Sequence, residues 1–64
     1  MLSILIPTYN FNCVALVKSL QQQAEEEKIE YEIVVADDAS SVFVAENSEI
    51  NMLKNARFLP LSKN

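Results

Sequence analysis

Two short apolar runs, LSILI at residues 2–6 and YEIVVA at residues 31–36, flank a stretch with helical periodicity, and this arrangement restricts the fold more than any other feature. Each run is rich in branched residues and apolar at consecutive positions, the pattern of a strand covered on both faces. Leu2, Ile4 and Ile6 stand against Leu5 in the first run, and Ile33 and Val35 against Val34 and Ala36 in the second. Pro7 lacks a ladder donor and is expected to end the first strand. Between the runs, Asn12 reads as an N-cap, and Cys13, Leu16, Val17, Leu20 and Ala24 recur at helical spacing, which predicts a helix from residue 13 to 27. The glutamates of QQQAEEEK oppose the helix dipole there, so this end is expected to fray.

A second helix is expected from Ser41 through VFVAEN, although Val42, Phe43 and Val44 locally favour strand. SEINMLKNA carries a partial helical period and leads into RFLPL, a third strand broken by Pro60. Strand, helix, strand, helix, strand predicts an α/β fold. The expected form is a three-stranded parallel sheet in spatial order 3-2-1 with two crossover helices, such crossovers being right-handed in about 98% of cases. Two crossovers of one hand put both helices on one face and leave the other bare, yet both faces of the strands are apolar. Residues 1–64 therefore read as a single truncated domain, expected to self-associate as a homo-oligomer through the bare face or the open edge of the first strand.

With 64 residues the chain makes one small domain, and a domain of that size buries only about 60% of the surface its unfolded chain exposes. A formal charge of -4, from nine acids against five bases, offers no basic stripe to a phosphate backbone, so nucleic acid is not an expected partner. Cys13 is the single cysteine, which excludes a disulfide framework or a zinc cluster and fits a reducing compartment. MLSILIP has no charged n-region and is too short for a signal peptide or membrane span; the expected location is cytoplasmic. There is no glycine, which excludes the P-loop and the G-x-G-x-x-G turn, and no histidine, which removes the commonest general base.

In open parallel sheets ligands sit beyond the carboxyl ends of the strands. The first strand ends in PTYN and the second in DDAS, so both polar clusters are expected on that edge. A tyrosine ring can stack on a flat heterocycle while a carboxylate accepts its imino N–H. Against this, an acid followed by Ser40 is also the pattern of an Asx-turn or helix cap, Tyr9 can be a rim aromatic, and Thr8 and Asn10 suit turn and capping roles. The paired acids make a poor Mg²⁺ site, because adjacent side chains on a strand diverge and no third oxygen ligand is identifiable.

SILIPTYN, a helix and then YEIVVADDAS resembles the start of the inverting, A-type-fold nucleotide-sugar glycosyltransferases of family 2, whose strands end in P-x-Y-N and D-D-G-S. RFLPLSKN resembles that family's third strand, which ends in an asparagine. The resemblance implies a Rossmann-like half of a transferase domain that moves a sugar from a nucleotide-sugar, a UDP-sugar above all, to an acceptor hydroxyl. It implies that Pro7 and Tyr9 contact the base with Thr8 in the same turn, that Asp38 binds the imino group, and that Asp37 supports the pair or the ribose side. It also implies a divalent cation, Mg or Mn, whose ligands lie downstream with the catalytic base. No catalytic or metal residue is then expected in this chain, the fragment is expected to be inactive alone, and any membrane proximity belongs to the longer parent. Two departures stand out: Ala39 replaces the glycine after the acid pair, which argues against positive φ there, and the Thr-Asp after the serine is missing. Two other classes compete, a non-catalytic interaction module and a receiver-like phosphoacceptor domain. The latter places its acid pair after the first strand and an aspartate after the third, and RFLPLSKN has none.

Overall fold

The chain runs β1 (Leu2–Thr8), α1 (Val14–Glu26), β2 (Tyr31–Asp38), α2 (Val44–Ser48), a 3-10 turn (Glu49–Met52) and β3 (Ala56–Leu61) in the computed structural model, which describes residues 1–61. All three strands are parallel, with order β1-β2-β3, so β2 is central. The third-strand asparagine of the sequence pattern, Asn64, lies outside the described residues.

Burial alternates strictly along β2: Tyr31, Ile33, Val35 and Asp37 are buried, while Glu32, Val34, Ala36 and Asp38 are not. Tyr31, Ile33 and Val35 meet Cys13, Val17 and Ala24, Ile50 of the 3-10 turn, and Ala56 and Phe58 of β3 in a single core. Full burial of Ile33, Val35, Ile50 and Val17 stabilises by about 1.5–3 kcal/mol per side chain relative to exposure. The helices cover this face alone. On the other face Leu5 is 69% exposed, and Leu59 and Leu61 are also open.

Helix α1 departs from its expected stripe at one position, because Leu16 is exposed while Cys13, Val17 and Ala24 are buried and Leu20 is half-buried. Its N-cap is Cys13, not Asn12, yet the Asn12 Oδ1 accepts the Val14 N–H at 3.1 Å. At the other end the chain does not simply fray. Lys28 enters the left-handed region, its N–H donates to the Glu25 carbonyl, and the Ile29 N–H donates to the Ala24 carbonyl, a Schellman closure. Glu25 accepts from the Tyr31 hydroxyl at 2.8 Å and from Lys54 at 3.2 Å, which holds its carboxyl below the ordinary glutamate value. Burial, and then the bond to Glu25, pushes the Tyr31 phenol up.

Three further expectations need correction. β1 continues through Pro7 to Thr8, and β3 continues through Pro60 to Leu61. Both prolines are tolerated because both strands are edges and both residues point outward. The Leu2 N–H donates to Glu30 across the β1–β2 ladder, so Leu2, Ile4, Ile6 and Thr8 address β2, and Ser3, Leu5 and Pro7 address the open side. The Ile33 N–H donates to the Asn55 carbonyl, which by the same parity turns Ala56, Phe58 and Pro60 away from β2. The second helix begins at Val44 rather than near Ser41, and its N-cap Phe43 sits at φ 66 with no side-chain cap. β-Branched Val42 and the left-handed Phe43 before it resist a helical turn there.

Finally, Ala39 does adopt positive φ. Asn10, Lys28, Ala39, Phe43 and Asn55 all occupy the left-handed region, with φ from 52 to 66. Asparagine tolerates this through local hydrogen bonding, whereas a Cβ elsewhere costs about 1–2 kcal/mol. Replacing Lys28 or Ala39 by glycine is expected to raise stability by about 0.5–1 kcal/mol after the added unfolded-state entropy is subtracted. The check is the urea midpoint at unchanged slope; a loss at both positions contradicts the strain.

Candidate functional site

The carboxyl ends of β1 and β2 meet at Thr8 and Asp37, which are register partners. PTYN and DDAS therefore share one corner of the sheet, as their positions in sequence require. A chain of polar contacts fixes the two turns to each other. The Asn10 N–H donates to the Ser40 Oγ at 2.6 Å, the Ser40 hydroxyl donates to the Asp37 Oδ1, and the Ser40 N–H donates to the Asp37 Oδ2 at 2.9 Å. Asn10 returns the link, its Oδ1 accepting the Ser41 N–H at 2.9 Å and the Val42 N–H at 3.4 Å.

The acid pair is split by strand alternation. Asp37 faces the core side, is buried, and spends both oxygens on Ser40. Asp38 faces the bare side and is exposed, and among the described residues no hydrogen bond to its carboxylate is made. Of the two, Asp37 is the loop-shaping acid and Asp38 the one available to a ligand. Pro7 pairs with Ala36 and is exposed on the bare face that also carries Asp38, so the ring and the carboxylate rise from one surface of adjacent strands. Tyr9 lies just beyond, 60% exposed. Thr8 points the other way and is half-buried, its Oγ1 accepting from the Cys13 thiol at 3.3 Å, which leaves it a structural part in the turn.

Pro7, Tyr9 and Asp38 are all exposed at this corner. Two surface depressions lie elsewhere, one beside Tyr31, Asn55 and Arg57 at the opposite strand ends, the other between α1 and the β1 edge. Because Asp37 and Asp38 diverge, they do not converge on a cation, and among the described residues no group of three or more His, Cys, Asp or Glu is arranged to hold a metal ion. Among the described residues this corner offers a divalent cation no fitting donor set.

Asn47 is the residue that sequence reasoning missed. It is completely buried in α2, its Oδ1 accepts the Cys13 N–H at 2.7 Å, and its Nδ2 donates to the Phe11 carbonyl at 2.7 Å. One amide thus satisfies a free donor at the start of α1 and a carbonyl in the loop before it, fastening α2 beneath the PTYN turn. The available signal was a polar residue between Phe43 and Ile50 at helical spacing, where an apolar one is expected.

Among the described residues no helix is long and apolar enough to cross a membrane. Comparison with family models, curated proteins and solved structures found no match to this chain.

Proposed function

We propose that the chain is the nucleotide-binding part of an inverting family 2 glycosyltransferase, a cytoplasmic enzyme using a nucleotide-sugar, with UDP-sugar the favoured donor. In this reading the sheet, counted 3-2-1 from its far edge, is the first half of an A-type domain. Transfer itself needs the cation site and catalytic base of a longer parent. The observation that supports the reading is the pairing of Thr8 with Asp37, which brings Pro7, Tyr9 and Asp38 to one exposed corner. Tyr9 and the Pro7 ring supply flat and apolar contact for a base, and Asp38 accepts an imino N–H. Asp37 contributes by holding the turn through Ser40 and Asn10.

The test is titration with uridine diphosphate, followed by backbone amide shifts. Residues 7–10 and 37–40 are expected to respond, weakly because the described residues offer no cation site to hold the diphosphate. Asp38→Asn removes a charge-assisted bond worth about 1.5–3 kcal/mol, so it is expected to weaken binding by roughly tenfold or more while leaving stability unchanged. Asp37→Asn is expected to act chiefly on stability. Absence of shifts from both segments, or equal affinity of Asp38→Asn and the unmodified chain, overturns the reading. The exposed apolar sheet face favours one alternative, a non-catalytic interaction module, which predicts no nucleotide response at all.

A further inference from the structure

The two edges of the sheet are not equivalent. On β3 the outward positions are Ala56, Phe58 and Pro60; the Phe58 N–H is taken by the Asn51 Oδ1 at 2.9 Å, and Pro60 has no N–H to give. On β1 the outward positions are Ser3, Leu5 and Pro7, so Ser3 and Leu5 present both N–H and C=O to the open side. Edge strands are ordinarily blunted by charge, proline or a covering segment. Residues 1–12 contain no charged side chain, and only Pro7 blunts this edge. Beside it, on the helix side, a mostly apolar groove is lined by Leu2, Ile4, Leu20, Ala24 and Ile29, together with Gln23 and Glu27.

We propose that β1 is the pairing surface for a second copy of this chain, joined antiparallel about a two-fold axis at Ile4 to give a continuous six-stranded sheet. The strand is complementary to itself in this register. Ser3 of each copy faces Leu5 of the other, and each such pair exchanges two backbone hydrogen bonds. Pro7, which cannot donate, falls opposite Met1 at the margin. On the helix side Ile4 meets Ile4, and Leu2 meets Ile6, so each groove is closed by the other copy's β1. Shifting the axis to Leu5 sets the Ser3 carbonyl against Pro7, where it finds no donor, and sets Leu2 against Thr8. With no charge on the strand, an isologous joint brings no like charges together at the seam. The inference is independent of the nucleotide reading.

Sedimentation equilibrium at micromolar concentration is expected to give twice the 7.2 kDa chain mass. Amide exchange at Ser3 and Leu5 is expected to slow as concentration rises. Leu5→Lys and Ser3→Pro, both at exposed positions, are expected to raise the dissociation constant by at least about tenfold. Leu59→Lys, on the bare face but away from the β1 edge, is expected to leave it unchanged. A monomeric unmodified chain overturns the proposal, as do assemblies larger than two. Dissociation by Leu59→Lys, with exchange at Ser3 and Leu5 independent of concentration, means that the copies pack face to face, and overturns it too. The exchange measurement uses the unmodified chain and stands even where a variant folds poorly.

Discussion

Asn47→Ala is expected to remove a large part of the chain's stability and to lower its urea midpoint sharply. The side chain is fully buried and serves two backbone groups: the Cys13 N–H, which has no other partner among the described hydrogen bonds, and the Phe11 carbonyl, which otherwise accepts only from the Cys13 thiol at 3.8 Å. Stranding a buried donor costs about 1–3 kcal/mol and a part-buried acceptor about 1, so the pair costs about 2–4 kcal/mol. For 64 residues, the usual stability per residue amounts to only about 3–10 kcal/mol in total. The loss is therefore a large part of the whole. Far-ultraviolet circular dichroism against urea reads it directly, with Asn51→Ala as the contrast. Asn51 is itself exposed and serves a single, part-buried N–H, so its loss is expected to cost about 1 kcal/mol. Equal effects at the two positions contradict the assignment of Asn47 as the fastening between α2 and the β1–α1 loop.

Ser40→Ala is expected to cost about 2 kcal/mol, more than its half-buried surface position suggests. The hydroxyl is both donor to the buried Asp37 carboxylate and acceptor from the Asn10 N–H, so its removal breaks the link between the two turns at its centre. Asp37 then retains one donor, the Ser40 N–H, and a buried charge with too few donors is costly. Ser40→Thr keeps the hydroxyl and is expected to keep most of the stability. Urea midpoints of the three proteins decide the matter, and a Ser40→Ala protein within about 0.5 kcal/mol of the unmodified chain contradicts the relay. Loss of amide protection confined to residues 8–12 and 38–43 is the structural counterpart of this prediction.

What could be read in the sequence follows from how local each signal is. β1, β2 and α1 were legible because apolar run length and helical spacing are properties of consecutive residues. The bare face followed from the count of crossovers, and Leu5 is open as that count requires. The prolines were misread because the penalty for proline depends on which way the N–H points, and that parity is set only when the neighbouring strand fixes the ladder. Helix α2 shifted because Phe43 takes the left-handed region, which a right-handed helical turn cannot include. The split of the acid pair was legible in principle. Alternation from Tyr31 through Ile33 and Val35 carries Asp37 to the core side and Asp38 to the other. The roles of Asn10, Ser40 and Asn47 were not, since each joins segments 30 or more residues apart.

The blocked edge of β3 bears on what a crowded solution of this chain can become. Endless fibrils need strands that add head to tail, each new copy offering a fresh edge to the next. Joining β1 of one copy to β3 of another is the arrangement that propagates, and it meets the Asn51 side chain on Phe58 and the missing donor of Pro60. Among the described residues β1 is the receptive edge, and the proposed β1–β1 joint consumes it in both copies. Edge-to-edge growth then ends after one step, so a glycine-free, half-apolar chain has a built-in terminator for strand addition. Asn51→Ala, by freeing the Phe58 N–H, removes half of it.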